Sequence, residues 1–120
     1  MIKDSDNNHP VWSVHWNTGW LLDEVHTTDI VGVDSYPIPN NPITWVSNVA
    51  DEAMQAGKPL WFVPQLFNWW GERAPTKEEM RAMTYLATNH RAKGLIYYSS
   101  FDIRNDANYS DRWSAIKDIA

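Results

Sequence analysis

The chain contains no cysteine. That excludes disulfides, thiolate catalysis and cysteine-ligated zinc. No stretch approaches the roughly 20 consecutive apolar residues of a membrane span. No basic run occurs either: ten Lys and Arg stand against fifteen Asp and Glu, for a net charge of −5. Neither a membrane nor a nucleic acid is therefore expected as a partner. There is no glycine-rich phosphate loop, and the four His lack metal-ligand spacing, so neither a cofactor nor a metal is expected. Met1-Ile2-Lys3 runs straight into polar and acidic residues without the pattern of a signal peptide, which leads to the expectation of a soluble protein.

What the chain has in excess is tryptophan. Eight Trp accompany five Tyr and three Phe in 120 residues. Such rings belong either in a core or on a binding surface, where a flat apolar face with a polar handle suits ligands such as sugars.

The length fits a single domain over residues 1–120. Within it, four strand-then-helix units follow one another. The first carries Val11-Trp12-Ser13-Val14-His15-Trp16, which alternates: Trp12, Val14 and Trp16 share one face, Ser13 and His15 the other. A short helical stretch around residues 20–26 follows. The second unit opens with Ile30-Val31-Gly32-Val33-Asp34-Ser35-Tyr36, where Gly32, Asp34 and Tyr36 share a face. Asn40-Asn41-Pro42 reads as a helix start with proline in the first turn. Val46, Val49, Ala50 and Ala53 carry the helical period, and Gly57 and Pro59 end it. The third strand, Leu60 to Phe67, is nearly continuously apolar, as in a parallel sheet covered on both faces, with Pro64 marking an irregular end. Thr76-Lys77-Glu78-Glu79 is a capping box for the next helix, which Gly94 is expected to close. The fourth strand, Leu95 to Asp102, places Ile96, Tyr98, Ser100 and Asp102 on one face, and a last helix runs through Trp113 and Ile116. Strands alternating with helices predict an α/β fold of parallel βα units.

In such folds chemistry sits at the carboxyl ends of the strands. Asp34 reads two ways there: as a site carboxylate, acting as acid/base or accepting a sugar hydroxyl, or as a cap for the turn before Pro37. Glu72 reads as a general acid beside the rings of Trp69 and Trp70, or as a solvated partner of Arg73. Trp69 and Trp70 are candidates for stacking on sugar rings. His15, Tyr36, Gln65, Tyr98 and Asp102 complete the candidate contacts with substrate, although Asp102 also fits a cap for the next turn. Trp12, Trp16, Trp45 and Trp113 are assigned to packing.

The segment Asp29 to Pro37, with its Gly32-Val33-Asp34-Ser35-Tyr36-Pro37 core, resembles the C-terminal half of (β/α)₈-barrel glycoside hydrolases. Lys58-Pro59-Leu60-Trp61-Phe62-Val63-Pro64-Gln65 resembles their seventh strand, which often starts with Lys-Pro. Pro75 to Met83, continuing through Ala92-Lys93-Gly94-Leu95-Ile96-Tyr97-Tyr98, resembles their seventh helix and eighth strand. The resemblance implies four βα units equivalent to half of a TIM barrel, since a complete one takes about 250 residues. It implies contact with an oligosaccharide or glycoside. The main retaining clan of such barrels carries an acid/base Glu at the fourth strand, which this register leaves outside the chain. It carries a nucleophilic Glu at the end of the seventh strand, where Gln65 stands here. Glycoside hydrolysis needs two carboxylates, so Asp34 and Glu72 are the candidates outside the family pattern. Weak or absent hydrolysis is expected of the chain alone; the alternative is a non-catalytic carbohydrate-binding or structural half barrel. Open strand edges and an apolar inner face predict self-association, most simply a two-fold dimer that closes eight strands.

Overall fold

The computed structural model describes residues 2–69 and 71–119. Four strands, β1 (Trp12–His15), β2 (Ile30–Ser35), β3 (Leu60–Pro64) and β4 (Gly94–Leu95), form one sheet. Their order is β1-β2-β3-β4, each parallel to the next. The helices are α1 (Ile2–Ser5), α2 (Thr18–Glu24), α3 (Trp45–Ala53), α4 (Lys77–Asn89), α5 (Ser100–Arg104) and α6 (Tyr109–Ile119). The fold is thus the α/β arrangement that the alternation of patterns predicts.

Strand parity decides where the core sits. Val31 and Val33 of β2 and Leu60 and Phe62 of β3 point to one face and are fully buried. There they meet the 46-49-50-53 stripe of α3 and Met80, Met83 and Ala87 of α4. None of the opposite parity, Trp12, Val14, Trp61 or Val63, belongs to that buried cluster. The helices therefore cover one face of the sheet and leave the other open. On the open face the register sets Val14, Gly32, Trp61 and Gly94 side by side. Two tryptophans lie over the two glycines: a Cβ on Gly32 would meet Trp12 at 2.5 Å, and one on Gly94 would meet Trp61 at 2.8 Å.

Several element ends differ from the sequence reading. α3 starts at Trp45 rather than near Pro42, because residues 42–44 wind as a turn first, with Trp45 N–H donating to Pro42 O and Val46 N–H to Ile43 O. α4 ends at Asn89, and Arg91, not Gly94, takes the left-handed conformation, at φ 73°. Gly94 is instead the first residue of β4, where the Trp61 ring lies over its Cα. β4 is also far shorter than expected. After Leu95 only a single bridge, Gln65 to Tyr98, continues the pairing.

The capping box of α4 forms as read. Thr76 Oγ1 accepts from Glu79 N–H at 3.2 Å, and Glu79 Oε2 accepts from Thr76 N–H at 2.8 Å. Glu79 also receives both arms of the Arg73 guanidinium, at 2.6 and 2.7 Å. The Arg73 bond first, and the Thr76 donors with it, hold the Glu79 carboxyl below its ordinary value of 4.5. A depressed carboxyl stabilises the fold above its unfolded pKa and loses that contribution as pH falls through the folded value. Glu79→Gln is expected to cost about 1 kcal/mol at neutral pH, as for a lost cap. It should also flatten the fall of Tm between about pH 5 and pH 3. Thermal denaturation across that range checks both; a parallel fall in the two proteins would remove Glu79 from the acid response.

Candidate functional site

A cleft of about 700 Å³ opens at the carboxyl ends of β2 and β3. Its polar floor comes from β2. The alternation that sends Val31 and Val33 to the helices sends Asp34 and Tyr36 to the open face, where they line the cleft. Asp34 Oδ1 is buried and has no hydrogen-bond partner in the protein. Burial first, and then the charge of the neighbouring Asp34 carboxylate and hydrogen bonding to it, push the Tyr36 hydroxyl far above its ordinary pKa of 10. Tyr36 therefore stays protonated and serves as a hydrogen-bond donor beside an acceptor with unused capacity.

Aromatic rings form the walls. Tyr36 packs edge-on against Phe67 at 4.9 Å and against Trp69 at 6.1 Å, and stacks with Tyr98 at 6.2 Å. The Trp69 indole N–H reaches the Tyr36 carbonyl at 3.4 Å. Trp16 and Trp45 line the same cleft and are 66% and 39% exposed. Both correct the assignment to packing. Trp45 lies off the 46-49-50-53 stripe, and Trp16 lies just past the end of β1; each position was legible as outward-facing.

Glu72 rises from a tight turn in which its N–H donates to Trp69 O at 2.6 Å and Gly71 supplies a φ of 89°. It is exposed, and Arg73, its alternative partner, is engaged with Glu79 instead. Glu72 borders the aromatic cleft on one side. On its other side lies a second, more polar cleft of about 730 Å³, lined also by Asn68, Asn108, Asp111 and Arg112. Arg112 is fixed there by Asp106 at 3.0 Å and by the Leu66 carbonyl at 3.0 Å.

Three candidate residues fall elsewhere. Gln65 is fully buried and turned into the fold. Its Oε1 accepts from Ile38 N–H at 3.0 Å, and its Nε2 donates to the Ile38 and Phe67 carbonyls at 2.8 and 3.0 Å. Gln65 thus clamps the loop after β2, which carries Ile38, Asn40 and Asn41 into the cleft wall. His15 pairs in register with Val33 and so faces the helix side, with Nε2 3.9 Å from Glu24. Strand parity separates it from Asp34. Asp102 is not on a strand: it sits in the first turn of α5 and accepts a hydrogen bond from the Ser99 hydroxyl. Tyr98 joins the aromatic cluster and remains 54% exposed. Trp70 lies outside the described residues.

Among the described residues no three His, Asp or Glu side chains come together to hold a metal ion, and no helix is long and apolar enough to cross a membrane. The site defines an aromatic cleft with paired polar groups on an α/β sheet. Comparison with protein-family models, curated proteins and solved structures finds no match to this chain.

Proposed function

We propose that the chain is a (βα)₄ half of a TIM barrel of the glycoside-hydrolase kind, and that its aromatic cleft holds a glycoside. Support for the half barrel comes from the sequential parallel strand order and from helices packed on one face only. A doubly wound sheet would cover both faces. The observation that carries the sugar reading is Asp34 Oδ1, a buried acceptor without a protein partner on a cleft walled by Trp16, Trp45 and Trp69. An unpaired buried acceptor costs about 1–3 kcal/mol. A sugar hydroxyl removes that cost while the apolar face of its ring stacks on indole.

Hydrolysis needs one carboxyl to protonate the leaving oxygen and a second carboxylate to attack the anomeric carbon or to activate water. Asp34 and Glu72 are the cleft's two carboxylates, and the position of the family nucleophile is occupied by a clamped amide. Weak hydrolysis, or none, follows from this. The second reading, a non-catalytic carbohydrate-binding module, is favoured by that same clamp.

Tryptophan fluorescence titration with oligosaccharides, run beside hydrolysis of a panel of aryl glycosides, tests both readings. Binding should weaken at least tenfold in Trp45→Ala and in Asp34→Asn, and remain unchanged in Tyr85→Ala, whose ring lies on α4 beside Arg81. Because the two clefts meet at Glu72, a tetrasaccharide should bind more tightly than a disaccharide. Turnover that disappears in Asp34→Asn and Glu72→Gln selects the enzyme; binding without turnover selects the module. A flat titration with every sugar overturns both.

A further inference from the structure

The large apolar side chains left exposed are not scattered. Val14, Trp16 and Trp20 belong to the β1/α2 end of the sheet, and Ile96, Tyr98, Phe101, Tyr109 and Trp113 to the β4/α6 end. Among the described residues only Trp45, in the cleft, and Tyr85, beneath Arg81, lie elsewhere. At one end Trp16 and Trp20 pack edge-on at 5.2 Å, and at the other Tyr109 and Trp113 stack at 6.4 Å. Among the described residues no strand pairs with the outer edge of β1 or of β4. Unpaired edges flanked by exposed aromatic rings are a template for another chain.

The surface is also larger than a lone globule of this mass presents. It measures 7308 Å², against roughly 6,700 Å² expected for a monomer of this size. The radius of gyration is 15.0 Å, where a compact chain of this length gives about 13.6 Å.

We infer that these two ends meet each other's counterparts in a second copy of this chain, giving a two-fold dimer in which β4 of each copy lies parallel to β1 of the other. The inference rests on the half-barrel reading above. A parallel β4-to-β1 step repeats the step that already joins β1 to β2, β2 to β3 and β3 to β4. Taken twice, it closes eight strands with no free edge. α6 of one copy then lies beside α2 of the other, covering Trp113 and Trp20. The open face becomes the interior, lined by Val14, Trp61 and Ile96 from both copies. Asp34 and Tyr36 project from β2 toward the axis, so each copy's Asp34 faces the second copy's Asp34 across one shared mouth. The partner thus adds a second Asp34 to a mouth that already holds Asp34 and Glu72 of the first copy.

Light scattering coupled to gel filtration, at low micromolar protein, tests the dimer. The expected mass is twice 13.9 kDa. Trp20→Lys and Trp113→Glu change exposed side chains, and each should halve the mass while keeping the circular dichroism of the parent. Mixing these two variants should restore the dimer, since one junction is then unaltered and the other sets Lys against Glu. A wild-type mass of 13.9 kDa at every concentration overturns the inference, as does a mixture that stays monomeric. A monomer that still binds oligosaccharide leaves the cleft reading standing and removes only the dimer. A dimer that binds no sugar does the reverse.

Discussion

Gln65→Leu is expected to lower the free energy of unfolding by about 4 kcal/mol. Leucine fills a similar volume, so the loss comes from polar groups and not from a cavity. The Ile38 N–H and C=O and the Phe67 C=O lose their amide partner. Ile38 is only 4% exposed, so water does not replace that partner there. Each stranded buried group costs about 1–3 kcal/mol. Urea denaturation measures the effect, and a loss below about 1 kcal/mol would show that the clamp is dispensable. Sugar affinity should fall with it, because the loop from Ile38 to Asn41 forms a wall of the cleft. The same geometry governs Gln65→Glu, which the proposed glycoside-hydrolase reading would make a nucleophile. A carboxylate there would face two backbone carbonyl oxygens that now accept from Nε2. It is expected to destabilise the fold and to produce no gain in hydrolysis.

Gly32→Ala carries the second large effect, about 2–3 kcal/mol, within the range for overpacking a tight site. Its Cβ would stand 2.5 Å from Trp12 Nε1, 2.8 Å from Val14 Cγ2 and 2.9 Å from the Ser13 carbonyl oxygen. The indole can swing aside, but the carbonyl belongs to the neighbouring strand and moves only if the β1–β2 ladder opens. Gly94→Ala is the contrasting case. Its three nearest neighbours all belong to the Trp61 side chain, so the ring can yield, and a loss of about 1 kcal/mol is expected. Calorimetry separates the two: Tm should fall by about 10 °C for Gly32→Ala and by less than half of that for Gly94→Ala. Equal shifts would show that the strand backbone at Ser13 is not the limiting contact.

Patterns with a fixed period carried the fold. Alternation in residues 30–36 placed Asp34 and Tyr36 opposite the core, and the 46-49-50-53 stripe named the buried face of α3. The capping box named the start of α4 to the residue. Where no period runs, the chain was harder to read. β4 ends after two residues and α5 begins at Ser100, and a Ser-to-Asp spacing of three is as compatible with a strand as with a helix start. Gln65 reads as a contact for substrate because it stands at the carboxyl end of a strand. Its hydrogen bonds to Ile38, 27 positions away, left no trace in local sequence. His15 was the opposite case: the alternation of β1 had already set it on the face away from Trp16. Trp16, Trp45 and Trp113, all assigned to packing, stand exposed: large apolar rings suggest burial whatever their position.

The strand order has a kinetic side. Each strand after β1 pairs with its predecessor in the chain, and among the described residues no ladder pair spans more than the 33 positions between Gln65 and Tyr98. Closing loops of that size adds little entropy cost from one unit to the next. Each βα unit can therefore dock on the one before it as soon as it emerges, and the sheet grows in one direction along the chain. Short contact separations of this kind favour rapid folding. They also make the sheet extensible: a further βα unit, added at either edge, would find its pairing partner without any earlier contact being broken.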